Sequence, residues 1–278
     1  MRQLGIDISA STVARLLHDM RFSLRANRKS IATHSSPDRN QQFEYIASLK
    51  SRFKRQHLPI VSVDSKKREM VGNFKNNGSK WDLAPVEVND HDFLSDATGV
   101  ALPFGVYDVT ANRGAVIVGV SHDTPAFAVH SIAQWWQLEG AARYRNSRQL
   151  LILADGGGSN ACRPRAWKTE LQSQLSNHFG LSVTVAHYPT GTSKYNPIEH
   201  RLFSEIQKNW AAEPLTSYQK ILNFIRTTST KTGLAVTAYL DRKKYETGQA
   251  PDDESVRKLR ITRAKILPAW NYSISPQM

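Results

Sequence analysis

Residues 151–160 read LILADGGGSN, an apolar run that meets one acid and then three glycines. With Gln149 and Leu150 before it, the run predicts a strand buried on both faces, the mark of a parallel sheet. An acid at the mouth of such a strand can cap a turn, precede a phosphate-binding loop or hold a metal ion. A P-loop needs Gly-x4-Gly-Lys-Ser/Thr, and GGGSNACR has no Lys in that place. Gly156, Gly158 and Ala161 satisfy the G-x-G-x-x-A of a dinucleotide site. That site also needs an acid at the end of the next strand, which here ends in His187-Tyr188. The nucleotide reading is therefore weak, and a nucleotide-binding α/β protein stands as a disfavoured alternative. The glycines instead suit the close approach of a large substrate backbone.

Outward from this stretch, the hydrophobic period alternates between strand and helix. LPIVSVD (58–64), FGVYDVT (104–110), GAVIVGV (114–120) and LSVTVAHY (181–188) read as strands. REMVGNF (68–74) is set aside as a minor excursion. A helix is predicted over 124–140, with Thr124 as cap, Pro125 at its first position, Gly140 at its end and Asp123 as a further capping group. Two more helices are predicted over 161–177 and 196–210. Three strands without intervening helices imply antiparallel hairpins, and the later helical crossovers imply parallel pairing. The expected fold is α/β, a mixed five-stranded sheet flanked by helices in the order of the RNase H-like fold. The tail, 211–278, carries a helix near 216–228, a strand near 234–240 and a polar, charged end.

The N-terminal region differs. Val13, Leu16, Leu17 and Met20 give one helix an apolar face, Ser9 or Ser11 can cap its start, and Arg21, Arg25, Arg28 and Lys29 follow. This pattern fits the recognition helix of a helix-turn-helix as well as it fits an ordinary amphipathic helix. Only eight residues precede Ser9, so the motif would be partial. Residues 30–40 read as a linker, and Phe43, Ile46, Leu49 and Phe53 mark a helix over roughly 40–55. The expected organisation is a partial DNA-binding segment at 1–35, a linker helix at 36–57 and a catalytic domain with a C-terminal extension at 58–278.

Composition narrows the chemistry. The chain has 278 residues, 40% of them hydrophobic, and a net charge of +13. That balance supports a real core and favours a polyanion partner, since Lys and Arg displace counterions from a phosphate backbone. One cysteine, Cys162, excludes internal disulfides and cysteine zinc clusters. No apolar run is long enough for a membrane span and no signal sequence is recognisable, so a bacterial cytoplasm is the expected location.

Three acids stand where parallel strands would gather them. Asp64 ends the first strand, Asp155 ends the fourth, and Glu199 opens the last helix. Two-metal phosphoryl transfer needs carboxylates converging on one point, because Mg²⁺ takes hard oxygen ligands. Each acid also has a purely local reading. Asp64 can begin a turn, Asp155 can form an Asx turn, and Glu199 sits at N3 of Asn196-Pro197-Ile198-Glu199, as in a capping box. Lys66, Lys67, Arg68, Lys194 and Arg201 lie close to the acids in sequence and could hold phosphates, as could Arg15 and Arg28 in the N-terminal segment. The Asp90-His91-Asp92 cluster reads as a solvated loop, Trp135-Trp136 as core, and His187 and His200 as packed or hydrogen-bonded neighbours of the site.

VSVDSKKREMVGNFKNNG, VNDHDF, LILADGGGSN and GTSKYNPIEHRLFSEIQKNW, in that order, resemble the Rhodopirellula-type transposase DDE-domain family of bacterial insertion sequences. NPIE also resembles the last-acid motif of mariner-like transposases. The resemblance runs from about residue 10 nearly to the end. It implies Mg²⁺-dependent DNA strand cleavage and strand transfer, with Mn²⁺ able to substitute, and it maps the catalytic and metal-holding acids onto Asp64, Asp155 and Glu199. It implies double-stranded DNA as partner, as insertion-sequence ends and target, and a homo-oligomer on that DNA. The family's N-terminal DNA-binding region is usually fuller, so this chain reads as shortened.

Overall fold

The computed structural model describes residues 8–23, 25 and 37–277. The chain divides into two compact units, Met1–Ser35 and Ser36–Met278. In the first, helix α1 (Ala10–Asp19) is capped by Ser9, whose hydroxyl accepts from the Thr12 N–H. Arg15 pairs with Asp19 at 3.4 Å one turn on. Leu16, Leu17 and Met20, the expected apolar face, are exposed. Arg28, Lys29 and most of the predicted linker lie outside the described residues.

The second unit is built on one mixed sheet. Its strands are β1 (Ile60–Ser65), β2 (Glu69–Val71), β3 (Gly99–Asp108), β4 (Arg113–Gly119), β5 (Gln149–Ala154), β6 (Ser182–His187), β7 (Ala235–Asp241), β8 (Ile261–Arg263) and β9 (Asn271–Ile274). They lie in the order β7-β4-β3-β1-β5-β6-β9-β8, with β2 paired to β3 off this path. β1, β5 and β6 are mutually parallel, and β3 runs against both β1 and β4. The stretch β4-β3-β1-β5-β6 is the expected RNase H-like arrangement. The sheet nevertheless has nine strands where the sequence predicts five central ones. β7 extends one edge by pairing parallel to β4, and the β8–β9 hairpin extends the other through β6.

Alternation along β1 and β5 sorts side chains between two faces. Val61, Val63, Leu150, Ile152 and Ala154 enter one core, with Trp135, Trp136 and Trp167. That core is covered by α3 (Pro125–Trp135), which continues through a π-helical turn (Trp136–Gly140) into α4 (Ala141–Arg143), and by α5 (Arg165–Glu170) with its π-helical extension (Leu171–Asn177). On the opposite face, Ile60, Leu151 and Leu153 pack against Ile46, Leu49 and Phe53 of α2 (Arg39–Arg55). Beside them, Ile198, Leu202, Phe203 and Ile206 pack on β3, β4 and β7. This last segment runs from a π-helical turn (Glu199–Phe203) into α6 (Ser204–Asn209), followed by α7 (Tyr218–Thr227); α8 (Asp253–Arg257) lies in the tail. The two tryptophans read as core, Trp135 and Trp136, are buried.

Candidate active site

The register of the sheet brings the first two acids together. Val63 pairs with Ala154 at the end of the parallel β1–β5 ladder, so Asp64 and Asp155 are each one residue beyond it. Both continue the face that carries Ser62, Leu151 and Leu153. The third acid arrives on the helix packed over that face. Its approach depends on Gly105, the ladder partner of Asp64 on β3. A Cβ at residue 105 would stand 2.8 Å from Ile198 Cδ1 and 2.7 Å from Phe203 Cε1. Glycine therefore lets the Glu199 helix sit directly on the strand that neighbours Asp64. Glu199 begins a π-helical turn, a distortion frequent at functional sites.

The negative charge of Glu199 bears on both Asp64 and Asp155 and disfavours their ionisation. Burial, followed by the negative charge of Asp155, pushes the Asp64 carboxyl up to about 8, against a single opposing bond from the Ser65 N–H at 2.8 Å. Asp155 is pushed up to about 6, first by burial and then by the charge of Glu199, while the Asn196 amide 3.3 Å away opposes the rise. Two half-buried carboxyls that resist ionisation beside a third acid form a site that a cation would stabilise.

The capping-box reading of Glu199 does not survive the geometry. The Asn196 N–H that the box would use already donates to the Ser193 carbonyl at 2.8 Å. The Asn196 side chain does not cap the helix either, because its Oδ1 accepts from the Ser62 hydroxyl and its Nδ2 donates to Asp155. Ser62 takes over the cap, accepting from the Ile198 N–H at 3.2 Å. Ser62 and Asn196 are completely buried and fasten β1 to the start of this helix. They are site residues that sequence reasoning missed, because the bond spans 134 positions.

Asp123, expected as a further capping group, does not cap α3. Thr124 alone caps α3, accepting from the Phe127 N–H. Asp123 instead accepts from the Ser65 hydroxyl at 3.0 Å, next to Asp64. His187 is completely buried behind Asp155, with Nδ1 2.9 Å from the Asp155 carbonyl oxygen, and burial pushes its imidazole down to about 4. His200 is exposed and bonds through Nε2 to the Lys194 carbonyl. In the loop after β5, Gly158 has φ +74°, which favours glycine, and Gly157 faces open space.

The basic candidates separate. Lys67, Arg68, Lys194 and Arg201 are exposed. Lys66 is turned inward: its Nζ pairs with Glu69 at 2.5 Å and lies 4.7 Å from the Trp210 ring centre, with a side chain only 10% exposed. Its charge is neutralised within the fold and is not presented to a phosphate. Asp90 and His91 form an exposed pair 3.7 Å apart in the loop before β3, and neither contributes to the perturbation of Asp64 or Asp155.

Among the described residues, no group of three or more His, Cys, Asp or Glu is gathered as a metal-holding cluster. The three acids form an open set of hard oxygen donors. That suits Mg²⁺, which binds through one or two carboxylates and completes its shell with water and phosphate oxygens. It does not suit structural zinc, which asks for a closed tetrahedron. No described helix is long and apolar enough to cross a membrane.

No curated protein matches the chain in sequence. Solved structures similar to it include a Mos1 transposase paired-end complex with left transposon end (17% identity, 81% of this chain, 63% of that chain, TM-score 0.49). A pre-cleavage Mos1 transpososome (16%, 81%, 64%, 0.48) and a mariner Mos1 paired-end complex with Mg (18%, 81%, 63%, 0.47) are similar to the same degree. The chain thus spans just under two thirds of the length of those relatives. The family model described as Rhodopirellula transposase DDE domain matches residues 1–276. A match of that extent takes in every motif from the N-terminal helix to the last strand, and the chain belongs to the Rhodopirellula transposase DDE-domain family.

Proposed function

We propose that the chain is a divalent-metal-dependent DNA transposase in which Asp64, Asp155 and Glu199 are the catalytic acids. The observation that carries this reading is the position of Glu199. Its helix is fastened to β1 by Ser62, and its negative charge bears on both Asp64 and Asp155 at the edge where β1 and β5 end. Mg²⁺, with Mn²⁺ able to substitute, would be held by the oxygens of these three acids and, when bound, would supply Lewis-acid activation of the attacking oxygen and neutralise charge at the phosphate. The reaction is hydrolysis of a phosphodiester at an element end, followed by attack of the freed 3′-hydroxyl on target DNA.

The chain's own groups orient the acids and the substrate. Asn196 holds the Asp155 carboxylate, and the Ser65 N–H holds that of Asp64. Lys67 and Arg68, just beyond β1, and Lys194 and Arg201, flanking Glu199, would hold DNA phosphates. Gly157 leaves the rim open to a wide backbone. Residues 1–35, with Arg15 and Arg28, would add further contacts to double-stranded DNA; 36–57 would serve as linker helix and 58–278 as catalytic domain. We place the protein in the bacterial cytoplasm at the nucleoid, acting as a homo-oligomer on DNA.

The test is metal-dependent nicking of duplex DNA by the full chain and by Asp64→Asn, Asp155→Asn and Glu199→Gln. Each substitution should leave DNA binding in place and reduce nicking by orders of magnitude. Nicking by Asp155→Asn at the wild-type rate would return Asp155 to the role of a turn residue.

A further inference from the structure

Behind Asp155 lies a buried chain of polar groups that the proposed reaction does not itself use. The imidazole of His187 is completely buried, with Nδ1 2.9 Å from the Asp155 carbonyl and Nε2 3.3 Å from the Tyr272 hydroxyl. The Tyr272 oxygen also accepts from Trp167 Nε1–H at 2.9 Å. Trp167 comes from α5, Tyr272 from β9 and His187 from the end of β6, so three elements meet behind one acid.

With the buried imidazole neutral, only one proton arrangement satisfies all three contacts. A carbonyl oxygen can only accept, so His187 must carry its proton on Nδ1. Its Nε2 is then an acceptor and needs a donor. Tyr272, which already accepts from Trp167, has its own O–H free to supply that donor. The direction therefore runs from Trp167 N–H to Tyr272 O–H, to His187 Nδ1–H, and ends on the Asp155 carbonyl. The His187 backbone is fixed separately: its carbonyl accepts from Gln42 Nε2 at 2.7 Å, and its N–H donates to the Trp270 carbonyl.

We infer that His187 is a positioning residue for Asp155, locked in its Nδ1–H tautomer by Tyr272 and Trp167. The inference rests on the transposase reading for its catalytic consequence. Asp155 stands just past the last ladder pair of β5, where the sheet no longer fixes its backbone. The imidazole pins that backbone from behind while Asn196 holds the carboxylate from the side. A carboxylate fixed at both ends keeps its oxygens aimed at the point the three acids share. Outer partners of this kind typically contribute about 10–100-fold to metal affinity or activity.

Two readouts test this. In the full chain with labelled histidine, long-range ¹H–¹⁵N spectra should show His187 protonated at Nδ1 and bare at Nε2. Tyr272→Phe should release that preference. A wild-type His187 protonated at Nε2 would overturn the inference, and this readout stands whether or not the protein proves to cut DNA. The second readout uses amide geometry. The Asn amide nitrogen overlays imidazole Nδ1, whereas Gln overlays Nε2. His187→Gln should lower kcat for strand cleavage by about tenfold with KM little changed, and His187→Asn should recover most of that loss at a similar melting temperature. Equal cleavage by the Asn and Gln variants would overturn the positioning role.

Discussion

Substituting Asp64 by Asn should stabilise the metal-free protein, and the structure allows the size of the effect to be worked out. The Asp64 carboxyl is raised from 3.8 to about 8, chiefly by burial and by the neighbouring acids. A carboxyl raised by folding binds its proton more tightly in the native chain. Its contribution to stability is therefore intact below pH 3.8 and is lost progressively as the pH climbs toward 8. At pH 7 the loss reaches about 4 kcal/mol, taking 1.36 kcal/mol per pH unit between 3.8 and 7. Asp155, raised to about 6, adds a loss of the same sign between pH 3.8 and 6. Because the acids share their repulsion, removing one charge recovers only part of the loss, roughly 1–3 kcal/mol. Asn keeps an Oδ1 to accept from the Ser65 N–H, so the local bond survives. For a unit of this size, 1 kcal/mol moves the melting temperature by about 2–4 °C. The assay is thermal unfolding from pH 5 to pH 8, with and without Mg²⁺. Wild type should lose stability with rising pH and regain it at pH 8 on adding Mg²⁺. Asp64→Asn should melt several degrees higher at pH 8, with a flatter pH profile and a smaller Mg²⁺ response. Superimposable profiles for the two proteins would refute the claim that Asp64 sits in a crowded, charge-starved pocket.

Other outcomes follow from the same geometry. Glu199→Gln should abolish cleavage and, by removing a charge that bears on both Asp64 and Asp155, raise the melting temperature of the metal-free protein at pH 8 rather than lower it. Glu199→Ala should cost well under the 0.5–2 kcal/mol of a lost helix cap, because Ser62 and not Glu199 serves that helix; a loss near 2 kcal/mol in thermal unfolding would restore the capping role. Lys66→Ala should lower stability and leave duplex affinity nearly unchanged, since its charge is already paired with Glu69. Joint replacement of Lys67 and Arg68 by Ala should weaken binding and reduce the slope of log affinity against log salt by about 2, one per lost phosphate contact. An unchanged slope in a salt titration would remove these two residues from the DNA surface.

Much of this fold could be read from local pattern, and the exceptions have physical causes. The strand runs ending in Asp64 and Asp155 announced themselves because a strand buried on both faces must be apolar throughout. Glu199 stayed ambiguous because Asn-Pro-Ile-Glu satisfies a capping box on paper. The Ser193 carbonyl takes the Asn196 N–H, and Ser62, 134 residues from Asn196, takes its side-chain oxygen; neither bond can be read in Asn-Pro-Ile-Glu itself. The β8–β9 hairpin escaped because Asn271–Ile274 is short and gains its strand identity from pairing with β6. Lys66 stands in one basic run with Lys67 and Arg68, and the hint that separates it is Glu69 three residues on, its ion-pair partner. Asp123 reads as a cap by its position before the helix, but Thr124 beside it fills that place.

The central claim is that these three acids cut and join DNA. It is tested most directly by incubating the full chain with a labelled duplex carrying the ends of its element and an unlabelled target, and resolving nicked and joined products. In Mg²⁺ or Mn²⁺ both products should form. In Ca²⁺ the duplex should be bound with little cleavage, and Glu199→Gln should give neither product. Nicking without joining would make the protein a nuclease, and full activity in excess EDTA would contradict the metal-holding role assigned to Asp64, Asp155 and Glu199.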